Sequence, residues 1–409
     1  MKSWLLLFLF LTQLTFAQSE KGTSLAEIQK VVNETLLSKW YERIQLRGYA
    51  QFRYNRLLED NNKLTCRSCD SSMGDKQGFF MRRARLTFYG DVNDRVFVYI
   101  QPDYATNATA GGNTQQNYFQ IRDAYFDYHL TESKEWRVRT GISKVPFGFD
   151  VLQSSSNRAA LDRSDAINTS APNERDTGVF LMYAPTEVRK RFKELANASL
   201  KGTGDYGMIA IGAYNGQTLG RQEKNNDLHR AVRLTYPFKL DNGQFIEVSV
   251  QAYEGKFSTV EQGQDEDFYD QRSAASFIYY PQPFGFQAEW TIGQGPEFDS
   301  STNKIEQNDL EGGYAQINYN LNIDNQRFFP YVRYQQYDGG KKNLTGAEYT
   351  KMNEWEFGTE WQPHAAFELV AAYAIADRRT QSAAGSDPKT GGKNHQMGNL
   401  LRLQAQFNY

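Results

Sequence analysis

From residue 45 to the C-terminus, apolar and polar positions alternate with a period of two. Leu401, Leu403, Ala405, Phe407 and Tyr409 fall on one face, and Arg402, Gln404, Gln406 and Asn408 on the other. Ile246, Val248, Val250 and Ala252 alternate with Glu247, Ser249, Gln251 and Tyr253, and Phe286, Ala288, Trp290 and Ile292 with Gln287, Glu289 and Thr291. Trp355, Phe357, Thr359 and Trp361 alternate with Glu354, Glu356, Gly358 and Glu360. Successive side chains of an extended chain point to opposite sides, so these segments are two-faced strands. An antiparallel sandwich in water gives the same alternation. Connection lengths separate the two architectures.

Reading strands from Leu46 gives about 16, and even numbers are what bacterial outer-membrane barrels use. Long polar stretches follow the odd strands, at 57–78, 105–117, 145–175 and 377–397. Most even strands are followed by tiny links, at 91–94, 131–134, 239–243, 281–283 and 363–365. Long loops on one rim and short turns on the other predict an all-β fold, a transmembrane antiparallel barrel. One link departs from the rule. Residues 184–205 should form a short turn but are long and carry Val188-Arg189-Lys190-Arg191-Phe192-Lys193. They read as a periplasmic excursion with helical character, with a missed strand pair as the rival.

Composition agrees with a wall that has lipid on one side and water on the other. Hydrophobic residues make up 40% of the 409, yet mean hydropathy is −0.68. After residue 17 no stretch of roughly 20 apolar residues occurs, which excludes a membrane helix. Aromatic residues reach 14% and cluster at strand ends (Phe79-Phe80, Tyr279-Tyr280, Phe328-Phe329), as interfacial girdles do. The formal charge of −2 lacks the basic excess of a nucleic-acid binder. A barrel of this width is too wide for its own side chains to fill, which predicts an aqueous lumen.

Residues 1–17 pair a positive start with an apolar run and small residues, the pattern of a secretory signal, with the mature chain from Gln18. Residues 18–44 form a periplasmic segment before the barrel at 45–409. Within it, 24–44 has helical spacing from Leu25 to Trp40 and a capping box at Ser24 and Glu27. That helix either lies on the periplasmic rim or acts in oligomerisation or as a plug. Cys66 and Cys69 read as a loop-stapling disulfide, because the four histidines are too scattered to complete a zinc site with them. No metal or cofactor is expected. There is no G-x-S-x-G, H-E-x-x-H or Walker loop, and Gly391-Gly392-Lys393 is followed by Asn394, so an enzyme is not expected. The acidic run at 265–267 with Asp270 lacks the glycine and terminal glutamate of a calcium loop.

Lumen parity gathers Arg47, Arg53, Arg83, Arg85, Arg137 and Arg139 in the first five strands, and a folded-in loop would add Arg158, Arg163 and Arg175. Guanidinium donors match phosphate oxygens in pairs. The same parity carries Asp103, Asp123, Asp127, Glu247, Glu289, Glu354, Glu356 and Glu360, which predicts a basic wall facing acidic ones across a transverse field. Arg82 falls on the lipid parity unless it sits at a rim or a bulge, since facing lipid at mid-membrane costs about 2–4 kcal/mol.

Several motifs resemble the phosphate-selective porin O and P family: FMRRARLTFYG at 80–90, GISKVPFGFD at 141–150, Ser154-Ser155, Arg163-Ser164 and Arg175-Asp176-Thr177-Gly178. The likeness is densest over 48–183. It implies a homotrimeric, 16-stranded porin in the bacterial outer membrane, in contact with its lipid, with a constriction loop after the fifth strand. It also implies passage of small anions, phosphate-like ions among them. The family's arginine doublet corresponds to Arg82 and Arg83, and its constriction region to Lys144 through Arg175. The alternative is a non-conducting barrel that serves as scaffold or partner in an outer-membrane assembly.

This topology makes a prediction. A labelling reagent outside intact cells should reach Asn61-Asn62, Gly111-Gly112 and Gly385-Ser386 but not Asp241-Asn242. Labelling of Asp241 from outside would invert the barrel.

Overall fold

The computed structural model describes residues 41–58, 78–107, 116–172, 175–261, 263–343, 346–383 and 392–409. The signal at 1–17, nearly all of the 24–44 helix, and Cys66 and Cys69 lie outside the described residues. So do the loop sites at 61–62, 111–112 and 385–386. A short 3₁₀ turn, Tyr41–Arg43, leads into the first strand.

The strands are β1 (Gln45–Leu57), β2 (Gly78–Asp91), β3 (Val96–Asn107), β4 (Gln116–His129), β5 (Trp136–Lys144), β6 (Arg175–Tyr183), β7 (Ile209–Tyr214) and β8 (His229–Lys239). They continue as β9 (Phe245–Glu261), β10 (Gln264–Tyr279), β11 (Phe284–Asp299), β12 (Lys304–Tyr319), β13 (Leu321–Ile323), β14 (Gln326–Gly340), β15 (Tyr349–His364), β16 (Phe367–Ser382) and β17 (Gly392–Asn408). β12 and β13 are two pieces of one wall strand, and both pair with β14. The wall therefore has the 16 strands of a closed antiparallel barrel. Each strand pairs with its sequence neighbour, and β17 returns to β1 in the register Tyr49↔Asn408. Closure leaves no unpaired backbone edge in hydrocarbon, the condition for spanning a membrane with strands.

Faces follow the predicted parity. Phe52, Phe126, Trp290, Trp355 and Phe407 are exposed on the outside, whereas Gln51, Arg53, Glu247, Glu289, Arg402 and Gln404 are buried inside. The 184–205 link contains a helix, Thr186–Asn197, so no strand pair was missed. Its Val188, Phe192 and Leu195 recur at i, i+4 and i+7 and pack with Phe245, Ile278 and Tyr280. Two supposed long loops turn out to be short. Only two residues separate β9 from β10, and the 300–303 link is a turn, because the polar stretches beside them continue the β ladder in strands of 16 or 17 residues. Membrane-spanning strands need only about 9–11 residues, so these hairpins stand above the bilayer.

The closing seam is tight. Gly48 donates to the Tyr409 carbonyl at 2.6 Å and accepts from the Tyr409 amide at 2.9 Å. A Cβ on Gly48 would lie 2.5 Å from both the Arg85 carbonyl and the Tyr409 ring. Gly48→Val should therefore abolish the compact form of the barrel on unheated denaturing gels. A variant that migrates like wild type would contradict this reading of the seam.

Candidate pore constriction

After β5 the chain turns into the lumen as a loop, described over residues 145–172, carrying two short helices, α1 (Phe149–Leu152) and α2 (Asp165–Ser170). Apolar contacts lay it against the wall. Val145, Phe147 and Ala171 join Phe180, Tyr214, Tyr253 and Ala274 in one cluster. Val151 and Ile167 meet Tyr314, and Ala166 meets Leu310, Tyr337 and Met352. Ala159 and Ala160 sit on Phe329 and Tyr331, and Leu161 on Val370 and Ala372. The loop thus crosses the lumen from the β6–β10 side to β16. The loop expected to fold inward therefore occupies part of the lumen, and it buries apolar side chains of the inner wall that water would otherwise meet.

Buried polar groups fix the loop where apolar contacts leave gaps. Glu289 Oε2 accepts from the amides of Phe149 at 2.6 Å and Asp150 at 3.0 Å. Gln335 Oε1 accepts from the Asp165 amide at 2.7 Å and the Ser164 hydroxyl at 2.8 Å. Lys144 Nζ donates to the carbonyls of Leu152 at 2.5 Å and Gln153 at 3.3 Å. At the loop's far end, Asp270 gathers His229 at 3.1 Å, Arg272 at 2.6 Å and Lys342 at 3.0 Å, all with fully buried side chains. Arg272 Nε in turn reaches the Ser170 carbonyl at 3.4 Å.

Opposite the loop stands the basic wall. Two β-bulges shape it. On β2 the register runs Gln51↔Arg83 and then Phe52↔Met81, which leaves Arg82 as the extra residue. On β4 it runs Gln101↔Asp123 and then Pro102↔Ile121, which leaves Arg122. A bulge re-aims one side chain and shifts the alternation by one residue beyond it, so Phe79 faces outward on the parity that carries Arg83 inward, and Phe119 on the parity of Asp123. Both arginines turn inward: Arg82 lies 3.9 Å from Asp162, and Arg122 3.9 Å from Asp103. Arg122 was not foreseen. The signal was available, because an arginine on lipid parity in mid-strand implies a bulge by its cost.

The remaining predicted residues divide into two groups. Arg85 grips Asp103 through two bonds of 2.8 and 3.0 Å and reaches Tyr49 and Ser155. Arg53 binds Asp162 at 2.7 Å, and Arg83 lies 3.8 Å from the same carboxylate. Arg175 donates to Asp123 at 3.0 Å, and Arg158 to the carbonyls of Asp150 and Gln153. Arg163 makes no ion pair among the described residues and reaches only Asn168 and the Val151 carbonyl, at 3.5 Å each. Burial first, then the guanidiniums of Arg158, Arg175 and Arg122, push Arg163 well below its usual range. With Lys144 and Arg82 these residues surround the loop crossing. Arg47, Arg137 and Arg139 do not join them. Arg47 stacks 4.8 Å from the centre of Tyr89. Arg139 is held by Asp127 at 2.7 Å, and Arg137 by Asp205 of the 184–205 link at 2.9 Å.

The acidic walls are not bare, which corrects the expected transverse field. Glu247 accepts from Tyr280 at 2.7 Å and faces Arg233 at 3.4 Å. Glu354 is taken by Arg378 at 2.8 Å, and Glu356 by Arg333 at 3.0 Å. Glu360 is taken by Lys201 at 2.6 Å, and Glu289 by the loop amides. A desolvated carboxylate needs such partners, so this side of the lumen cancels its own charge.

A closed 16-stranded barrel with a loop folded inward after its fifth strand defines a porin. The chain belongs to the phosphate-selective porin O and P family, whose model matches residues 65–267 and 258–409. Its seat is the bacterial outer membrane, and its fold is that of a channel rather than an enzyme. Among solved structures it is similar to the outer membrane channel DcaP of Acinetobacter baumannii at 17% identity, covering 90% of this chain and 97% of that one with a TM-score of 0.51. The trimer form of OmpT from Vibrio cholerae matches at 10% identity, over 90% and 99% of the two chains, with a TM-score of 0.53. An anion-selective porin from Comamonas acidovorans matches at 11% identity, over 90% and 99%, with a TM-score of 0.50. No curated protein sequence matches.

The buried clamp yields a stability prediction. Asp270→Asn removes the anion that Arg272, Lys342 and His229 share, and breaking a buried ion pair from one side costs about 3–5 kcal/mol. Thermal unfolding in detergent should start at lower temperature than in wild type. An unchanged transition would contradict the clamp.

Proposed function

We propose that this porin is a homotrimeric diffusion pore for small hydrophilic solutes, biased toward anions and toward phosphate-like oxyanions among them. One observation carries the reading: two separate bulges turn Arg82 and Arg122 from lipid parity into the lumen, beside Arg83, Arg85 and the loop's Arg158, Arg163 and Arg175. Among the described residues, cations outnumber carboxylates there, with Asp103, Asp123, Asp150 and Asp162 in contact with them. Fixed charge at a narrow point sets the sign of the permeant ion. The crowding that depresses Arg163 is relieved by a bound anion. The anion-selective and trimeric structures to which the fold is similar support the same reading. Residues 1–17 serve as the export signal and 18–44 as a periplasmic segment ahead of the barrel.

The rival reading, a non-conducting scaffold, gains from the way the periplasmic link meets the loop inside the barrel: Gln153 donates to the Lys201 carbonyl at 2.5 Å and Asn157 to that of Gly202 at 3.1 Å. Single-channel steps in a planar bilayer decide between them.

Arg85 is unsuited to a charge-reversal test, because Glu there would face Asp103. Arg83→Glu combined with Arg163→Glu reverses two charges that have no carboxylate within 3.5 Å among the described residues. The zero-current potential in a KCl gradient should move from anion-preferring toward cation-preferring while the trimer still assembles. An unmoved potential would reduce these arginines to lumen solvation.

A further inference from the structure

The link between β6 and β7 does not stay at the rim where it begins. Its helix, Thr186–Asn197, starts against the β4–β5 turn. There Glu135 accepts from the Thr186 amide and hydroxyl at 2.7 Å each, and Arg189 donates to the Lys134 carbonyl at 2.5 Å. Beyond the helix the chain enters the lumen. Lys201 Nζ donates to both carboxylate oxygens of Glu360, at 2.6 and 2.8 Å, with both side chains buried. Glu360 belongs to β15, the fourteenth of the 16 wall strands, so it stands almost diametrically opposite the sixth and seventh, which the link joins. The chain then returns to its own side, where Arg137 donates to Asp205 at 2.9 Å. Residues 198–205 are therefore a strap across the barrel.

Two features separate this strap from an ordinary connection. Ser199 and Lys201 have left-handed backbone, at φ 52° and 67°, a conformation that glycine adopts at least cost. A lysine there is placed for its side chain: a flexible four-carbon stem carries the ammonium past the Phe329 ring, 4.8 Å away, to the far carboxylate. The strap also lies against the inward loop. Gln153 donates to the Lys201 carbonyl at 2.5 Å and Asn157 to that of Gly202 at 3.1 Å, and Leu195 and Leu200 share one apolar cluster with Phe149 of α1. The lumen is thus crossed twice, and the two crossings touch.

We propose that the strap is a second restriction of the lumen, on its periplasmic side, held in place by the Lys201–Glu360 latch, and that it sets the largest solute the pore admits. The proposal rests on the diffusion-pore reading and is independent of the sign of the permeant ion. Across the lumen the strap is held by the latch, by the two hydrogen bonds to the loop and by the packing of Leu200. A desolvated ion pair holds only while both charges stay matched. Once it is broken, both groups have lumen water to face, and the strap can fold back without opening the hydrogen-bond ladder of the wall. Charge at the narrow point and clearance through it are then set by different segments, the first by the loop crossing and the second by the strap.

The test is the largest neutral polyethylene glycol that enters the pore, read from the fall in single-channel conductance of the full chain in a planar bilayer. The polymer is uncharged, so its cut-off reports clearance rather than field. Glu360→Lys sets two ammonium groups against each other and should release the strap: conductance should rise roughly twofold, and a larger polymer should enter. Glu360→Lys combined with Lys201→Glu rebuilds the pair in reverse and should restore both values. Gln153→Ala with Asn157→Ala alters no charge and should move the cut-off in the same direction as Glu360→Lys. If Glu360→Lys does not assemble, that pair of alanine substitutions decides alone. An assembled barrel with the strap released in either way and the wild-type cut-off would overturn the proposal and leave the strap as a brace. A wild-type protein without conductance steps would instead overturn the diffusion-pore reading, and the size limit with it.

Discussion

Hydrocarbon cannot solvate a guanidinium, and a barrel wall has only two faces. Much of this molecule follows from that. Arginines on inward parity reach the lumen directly, as Arg53, Arg83 and Arg85 do. Those on outward parity need a local change of register, and β2 and β4 each spend one residue on a bulge to provide it. The result is a concentration of positive charge on one side of the barrel that strict alternation would not allow. Once inside and partly dehydrated, those charges need anions. Among the described residues, Asp103, Asp123 and Asp162 supply some of them.

The opposite wall meets the same requirement in another way. Its carboxylates are taken up by cross-strand arginines, by Lys201 of the 184–205 link and by the amides of α1. Glu289 shows the economy of the arrangement: the charge that would have faced the basic wall instead fixes the start of a loop helix. The loop is therefore both a steric element and the means by which one side of the lumen is neutralised while the other stays positive. Apolar contacts from Val145 to Ala171 bear its weight; Asp162 ties its tip to β1, and Arg272, paired with Asp270, reaches Ser170 near its end.

The fold was legible because period two survives along most strands and because links on one rim are short. Faces of β9, β11 and β17 follow directly from residues such as Val248, Trp290 and Leu403. Legibility fails where packing changes the rule. Residues 369–376 of β16 are apolar on both faces, since Val370 and Ala372 receive Leu161 of the loop rather than water. A bulge shifts the alternation by one residue, and on β4 that shift, with Phe119 and Ile121 outward on the parity of inward Asp123, went unread, which is how Arg122 escaped notice while Arg82, beside its partner Arg83, did not. Arg137 and Arg139 have the right parity and the wrong height: parity fixes the face of a strand but not the distance along the pore. The acids were found correctly, but their partners lie on other strands or on the loop, and no local pattern encodes those pairings.

Everything proposed of function depends on the sign of the field at the loop crossing, where, among the described residues, arginines from β2, β4, β6 and the loop outnumber aspartates. The most direct measurement is the zero-current potential of the unaltered protein across a planar bilayer under a KCl gradient at near-neutral pH. The account predicts a potential displaced toward the chloride equilibrium value, reduced in size as salt screens the arginines. A potential displaced toward the potassium value would contradict it.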